Sequence, residues 1–404
     1  MTGPGPHRPR PLEGIRVLAV EQMIAAPWST QMLARLGADV IKVEHPVHGD
    51  SGRGATPSIA DPDGRRVGAT FLRNNLDKRS VGIDLKRAPG LVLDLAEHCD
   101  VFVQNHKAGA LERMGLGYEQ VRARNPRVIY VSVSGFGETV ETPYRDWPAY
   151  ASIAEAMSGI YEWARVPGQP LLVNPMGGLG DIGSGMFATI GVLAALLQRT
   201  LTGEGQHVDI SMFDAMVSIA DVVTAYESLG SSGERAPGAI ITTFAAADGE
   251  VVVQISREHQ FERLATIVGH PEWLADGRFA TREGWVAHRE DVIRPAVEAW
   301  SSTLPKLEVA RRLADAGIAA GPCNSARDVI DDPHVAARGM LVGFDRGDGG
   351  TYLVPGNPVR MSGDEPPPER RAPWLGEDTD GVLAEVLGLA PERIAALRAD
   401  GLVG

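Results

Sequence analysis

Short apolar runs recur through the first half of the chain, each separated from the next by enough residues for one helix. Val17–Val20, Val40–Val43, Val81–Asp84, Val101–Val103 and Val128–Val133 are too short to be helices and are apolar at most positions. Strands without a polar face are covered on both sides. Alternating with helical stretches such as Leu91–Glu97, these runs predict a parallel sheet between two helical layers. Pro27 suits the first position of a helix with Trp28, Met32, Leu33 and Leu36 on one face, and Gly37 stops it, so residues 17–43 read as a βαβ unit.

The composition changes near residue 225. Before it, the turn Gly203-Glu204-Gly205-Gln206 leads into the apolar segment His207–Met212 and a helix running to Leu229; after it, Gly230, Gly233, Pro237 and Gly238 mark a flexible stretch. Asp248-Gly249 signals a hairpin into the strand Val251–Ile255, and helical segments follow at Phe261–Val268, Val292–Ser301 and Leu307–Ala316. The expected plan is a large α/β domain over 12–224, a smaller α+β domain over 225–330 and a return to the large domain over 331–404. That return would bring strands at Met340–Phe344 and Tyr352–Val354 and a final helix stopping at Gly401. Residues 1–11, rich in proline and glycine with no apolar segment, read as a disordered tail.

At 404 residues and 44% hydrophobic content the chain can bury a large core. Its net charge of −13 and pI near 5.3 argue against nucleic acid or an anionic membrane as partner. The longest uncharged run, Ile182–Gln198, contains glycine and is slightly short for a membrane span. Cys99 and Cys323 lack any metal-ligand or disulfide spacing, which fits a reducing, cytoplasmic setting and no bound metal.

Asp181 stands among glycines at 177, 178, 180, 183 and 185, just before a helix whose apolar residues from Ile182 to Leu197 spread around its whole circumference. Such a helix is expected to be fully buried with Asp181 as its N-cap. Two roles are open. A cap carboxylate would accept backbone N–H bonds, worth about 1 kcal/mol. A nucleophile would instead use the missing side chains to let a reacting carbon approach and would find N–H groups for an oxyanion.

Several segments fall in an order that resembles the family III CoA-transferases, the formyl-CoA and carnitine CoA-transferase group. They are PLEGIRVLAVEQMIAAP, LARLGADVIKVEHPVHGDSGR, NLDKRSVGIDLK, CDVFVQNHKAGALERMGLGY, NPRVIYVSVSGFG, GDIGSG, TGEGQHVDISMFDA, AGIAAGPCNSARDVIDDPHVAARG and PWLGEDTDGVLAEVLGL, which span nearly the whole chain. The resemblance implies a Rossmann-like CoA-binding domain, an interlocked homodimer, and transfer of CoA from an acyl-CoA to a free carboxylic acid with no prosthetic group. It places Asp181 on the family's nucleophile, which would pass through a mixed anhydride and an aspartyl-CoA thioester. It places the CoA contacts on Met23, Ile24 and Ala25, on His45, Ile83 and Lys86, on Asn105, His106 and Lys107, and on Arg113, Met114 and Tyr150. Lys78 and Arg79 match a recurring element that could equally anchor a strand.

Three departures bear on the activity. His45 stands where some members have arginine, which would weaken a phosphate contact. The related 2-methylacyl-CoA racemases carry a His-Asp pair where this chain reads Ala149-Tyr150-Ala151, so a racemase would lack an acid/base group. The long glycine run of formyl-CoA transferase is reduced to Gly230, Gly233 and Gly238. Residues 178–183 also spell G-x-G-x-x-G, the mark of a dinucleotide-binding oxidoreductase, but Asn174-Pro175 interrupts any strand leading into them.

Overall fold

The computed structural model describes residues 9–174, 177–230, 239–362 and 367–404. Six of the apolar segments form strands β1 (Arg16–Val20), β2 (Asp39–Glu44), β3 (Arg79–Gly82), β4 (Val101–Gln104), β5 (Ile129–Ser134) and β6 (Gln206–Ser211). They make one parallel sheet in the order β3-β2-β1-β4-β5-β6, the Rossmann order. Alternate residues of each strand serve opposite layers. Val17, Ala19, Val40, Val101, Val103 and Val131 pack against helices α1 (Ala25–Arg35) and α4 (Leu179–Thr202). Leu18, Val20, Ile41, Val81, Phe102 and Tyr130 pack against α2 (Pro89–Ala96), α9 (Thr379–Leu387) and α10 (Pro391–Ala399).

The chain divides into two compact units, one of Met1–Ala225 with Gly339–Gly404 and one of Tyr226–Arg338. The smaller unit extends to Arg338 rather than ending at 330. It carries an antiparallel sheet of β7 (Ile240–Ala246), β8 (Gly249–Ile255) and β9 (Ala319–Pro322), with the two-residue hairpin at Ala247-Asp248. Helices α6 (Glu258–Ile267), α7 (Arg294–Ser301) and α8 (Lys306–Asp315) complete it around Phe261, whose ring stacks on Trp285 at 4.6 Å. Strands β10 (Leu341–Asp345) and β11 (Thr351–Pro355) pair antiparallel in the larger unit.

Helix α4 departs from its expected form in two respects. It starts earlier, at Leu179, so Gly178 is the N-cap and Asp181 occupies the third helical position. It is also buried on one side only: Gly185, Ala188, Val192 and Ala195 face the core, while Ile190, Leu197 and Leu201 are 61%, 67% and 83% exposed. By length and composition it could cross a membrane, yet its inner face closes the core over the sheet. Most of its glycines serve packing. A Cβ at Gly180 would lie 3.1 Å from the backbone of Ala151, the first residue of α3 (Ala151–Met157). One at Gly183 would collide with the Ile219 side chain of α5 (Met212–Ile219), and one at Gly185 would meet Ala25 O at 2.8 Å.

Candidate active site

Strand order reverses between β1 and β4, so the loops leaving their carboxyl ends diverge and open a crevice where sheets of this order bind ligands. The two loops are tied together: Gln22 N donates to Asn105 Oδ1 at 2.9 Å and Asn105 Nδ2 to Gln22 O at 2.8 Å. The Asn105 amide therefore braces the crevice. Met23, 38% exposed, sits at φ +66°, a left-handed conformation costing a non-glycine residue about 1–2 kcal/mol. Its N–H donates to Asp50 Oδ1 at 3.0 Å, and Asp50 is itself buried.

Beneath this loop lies a cluster of four charges without access to water. Lys42 Nζ approaches Asp50 Oδ2 at 2.9 Å and Glu21 Oε1 at 3.5 Å, and Lys78 Nζ approaches the same Glu21 oxygen at 2.8 Å. Burial alone would lower the pKa of Lys42, but Asp50, Glu21 and Glu44 together raise it. Burial would likewise raise that of Asp50, which Lys42 and the N–H groups of Met23 and Gly52 bring below the usual carboxylate range. Lys78, which shares its acid with Lys42, is pulled down to about 8 by burial, with Glu21 opposing. Lys78 and Arg79 both anchor structure: Lys78 also donates to Pro27 O and Asn75 Oδ1, and Arg79 binds Asp39 and Glu385.

Around the crevice, Lys86, Lys107 and Arg113 are exposed, and among the described residues their charged ends make no hydrogen bond or ion pair. His106 is half-buried; burial and the nearby Lys42 lower its pKa, with Asp50 opposing. His45 is exposed and caps its own turn, its Nδ1 facing the N–H groups of Val47 and His48 at 3.1 and 3.3 Å. Ile24 and Ala25 are buried at the start of α1, and Met114 packs partly into the core. Ile83 is fully buried and bridged to Val403, so its side chain has no free face for a ligand. Tyr150 is 73% exposed, which excludes a packed core role.

Asp181 meets this crevice across a glycine. A Cβ at Gly178 would lie 4.0 Å from both Asp181 Oδ2 and Ile24 Cδ1, so the carboxylate and the β1–α1 loop flank one gap. Burial and then the neighbouring Glu155 charge push the Asp181 carboxyl up to about 6, with Arg73 opposing. The Arg73 guanidinium is half-buried and makes no hydrogen bond or ion pair among the described residues. Its loop is clamped to α1 by Gln31, whose amide donates to Arg73 O at 3.1 Å and accepts from Leu76 N at 2.8 Å. Neither Glu155 nor Arg73 stood out in the sequence, although Glu155 is the one charge between Trp147 and Tyr161 and Lys42 is a lone cation in an apolar strand.

Other expectations meet specific obstacles. The N–H groups of Gly177, Gly180 and Ile182 are bonded to Asn174 O, Glu155 Oε1 and Gly178 O, so these three do not serve an oxyanion. The glycine stretch at 231–238 lies outside the described residues, as do Pro175 and Met176. The G-x-G-x-x-G glycines open α4, which follows no strand of the sheet among the described residues, and the β1–α1 loop lacks them. A dinucleotide fingerprint is thus absent from the place where the fold would use it. A cavity of about 160 Å³ lined by Gln104, Tyr118, Tyr130, Glu138 and His207 includes neither Asp181 nor the β1–α1 loop. Among the described residues no group of three side chains has metal-ligand geometry.

Asp181 also sets a pH signature on stability. Its folded value of about 6 exceeds the unfolded 3.8, so the protonated acid stabilises the fold below pH 4 and that contribution disappears as pH rises through 6. The uncharged Asp181→Asn variant is expected to match the wild type in thermal melts at pH 4. It should exceed it at pH 8 by on the order of 2–3 kcal/mol. An unchanged gap between the two pH values would contradict the burial of this charge.

Comparison with known proteins places the chain in a family. The model of CoA-transferase family III matches residues 12–379. The succinyl-CoA–L-malate CoA-transferase beta subunit of Chloroflexus aurantiacus is 35% identical over 97% of this chain and 98% of its own length. The succinate–glutarate CoA-transferase of Agrobacterium fabrum is 35% identical over 94% and 97%, and the formyl-CoA:oxalate CoA-transferase of Streptomyces coelicolor 33% over 97% and 99%. The crystal structure of a CaiB/BaiF family protein from Brucella suis, 33% identical, superimposes with a TM-score of 0.83 over 94% of this chain and 100% of that one. A match this continuous, through the strands, the crevice loops and the helix bearing Asp181, makes the chain a member of CoA-transferase family III.

Proposed function

We propose that this CoA-transferase works through covalent acylation of Asp181. A carboxylate oxygen attacks the thioester carbonyl carbon, the C–S bond breaks, and CoA leaves as thiolate, giving an aspartyl–acyl anhydride. The thiolate then attacks the aspartyl carbonyl, the donor acid leaves as carboxylate, and Asp181 carries CoA as a thioester. An acceptor carboxylate reverses these steps. Every nucleophile and leaving group is an anion, so no net proton moves. The meeting of Asp181 with the β1–α1 loop across Gly178 carries this reading, because it sets the acid beside the loop that would hold the thioester end of CoA. Lys86, Lys107 and Arg113, with their charged ends unpaired among the described residues, suit the CoA phosphates. Mass spectrometry of protein quenched with hydroxylamine during turnover should find a hydroxamate at Asp181. Asp181→Ala should still bind CoA but lose at least about 1,000-fold in kcat; undiminished turnover would end the proposal.

For the acids themselves we propose dicarboxylates, as in the relatives that act on succinate, malate or glutarate. Arg73 is a cation in the field of Asp181 with unused donors, suited to the far carboxylate of such a substrate. Arg73→Gln is expected to raise KM for the dicarboxylate about 30- to 100-fold, the worth of a charge-assisted hydrogen bond pair, and to change KM for the matching monocarboxylate less than about threefold. Equal losses for both acids would remove the assignment.

A second copy of this chain is proposed to cover the outer face of α4. Met186, Ile190, Leu193, Leu197 and Leu201 form an exposed apolar stripe at spacings of three and four residues, 38% to 83% accessible. If the subunits interlock, sedimentation at nanomolar concentration will show only dimer. A reversible monomer would exclude interlocking.

A further inference from the structure

Glu155 lies on α3 and is 1% exposed, among Ala154 and Ser158, which are buried too. A lone buried acid normally has a cation for a partner. Glu155 has no ion pair within salt-bridge distance among the described residues, and both its oxygens accept from neutral donors: Oε1 from Gly180 N at 3.0 Å and Oε2 from Tyr161 OH at 2.5 Å. Gly180 is the second residue of α4 and Asp181 the third. The N-cap of α4, Gly178, has no side chain to satisfy the free N–H groups of the first turn, so a carboxylate from another helix does this instead.

We propose that Glu155 is a positioning residue for CoA transfer: anchored by Tyr161, it locks the first turn of α4 through the Gly180 N–H and sets a second negative charge behind Asp181. The inference rests on Asp181 being the acylated residue. When Asp181 attacks, the negative charge leaves its oxygen and departs on the CoA sulfur, so the repulsion from Glu155 falls between the resting enzyme and the anhydride. An interaction that destabilises the resting state more than the transition state speeds the step. The groups facing Asp181 are Glu155 on α3 and Arg73 on the loop clamped to α1, with opposite effects on its charge, and Tyr161 faces Glu155.

Glu155→Gln keeps an acceptor for Gly180 N and removes the charge. The pH profile of kcat/KM in the wild type should fall on its acid side near pH 6, the value set by Asp181. In Glu155→Gln this limb should move down by about one pH unit, and the rate on the plateau should drop about 3- to 30-fold with KM for CoA thioester little changed. Tyr161→Phe, which frees one Glu155 oxygen, should shift the limb in the same direction by less, and it serves as the test should Glu155→Gln fail to fold. A limb that stays in place in the folded variant overturns the proposal, as does a plateau rate equal to the wild type. Hydroxylamine trapping separates the two levels. A wild-type enzyme that yields no hydroxamate at Asp181 removes the nucleophile and this inference together. Normal trapping with an unmoved limb removes Glu155 alone.

Discussion

Four buried charges hold the loop on which the ligand side of the sheet is built. Glu21 follows β1, Lys42 lies within β2, Asp50 follows β2 and Lys78 precedes β3, so one cluster joins three neighbouring strands. Removing one member of such a cluster strands the others and costs roughly 3–5 kcal/mol, whereas a well-packed apolar replacement of the whole can be neutral. Stability alone does not account for the cluster. What an apolar set could not do is accept the N–H of Met23 through Asp50 and keep that residue in a left-handed conformation. The cluster and the shape of the crevice are thus the same object.

The fold has the strand order of dinucleotide-binding domains and none of their fingerprint at the first turn. In the fingerprint, glycines let backbone N–H groups approach a pyrophosphate. Here the equivalent loop is Glu21-Gln22-Met23-Ile24, strained, side-chain-braced and closed to such an approach. The loops after β3 and β4 carry exposed cations instead, Lys86 on the first and Lys107 and Arg113 on the second. The same strand order therefore accommodates two differently built first loops.

The sheet was legible in the sequence because both of its faces are covered, which leaves runs such as RVLAV and IYVSVS with little polar interruption. Asp181 was legible as an exceptional acid, and the order of motifs around it as a family resemblance. What pattern could not supply was anything made by contact between distant segments. The glycines of α4 looked like clearance for a ligand, but Gly180, Gly183 and Gly185 are filled by α3, α5 and α1. The helix looked buried because apolar residues circled it, yet an apolar circumference does not say which of its faces the rest of the chain covers. Glu155 lies 26 positions before Asp181 and Arg73 far earlier, and no spacing rule links them to it.

All six strands of the parallel sheet lie between Arg16 and Ser211, yet one of its two helical layers is completed by α9 and α10, which begin at Thr379. On a ribosome the sheet is therefore made whole while Val43, Val81 and Ile83 still lack much of their cover, and the entire smaller unit is synthesised before that cover arrives. During this interval the nascent chain displays a sticky apolar surface, the kind that chaperones hold and that misassembly exploits. Inserting a separate unit between the two parts of a core thus makes synthesis order a hazard that the finished enzyme no longer shows.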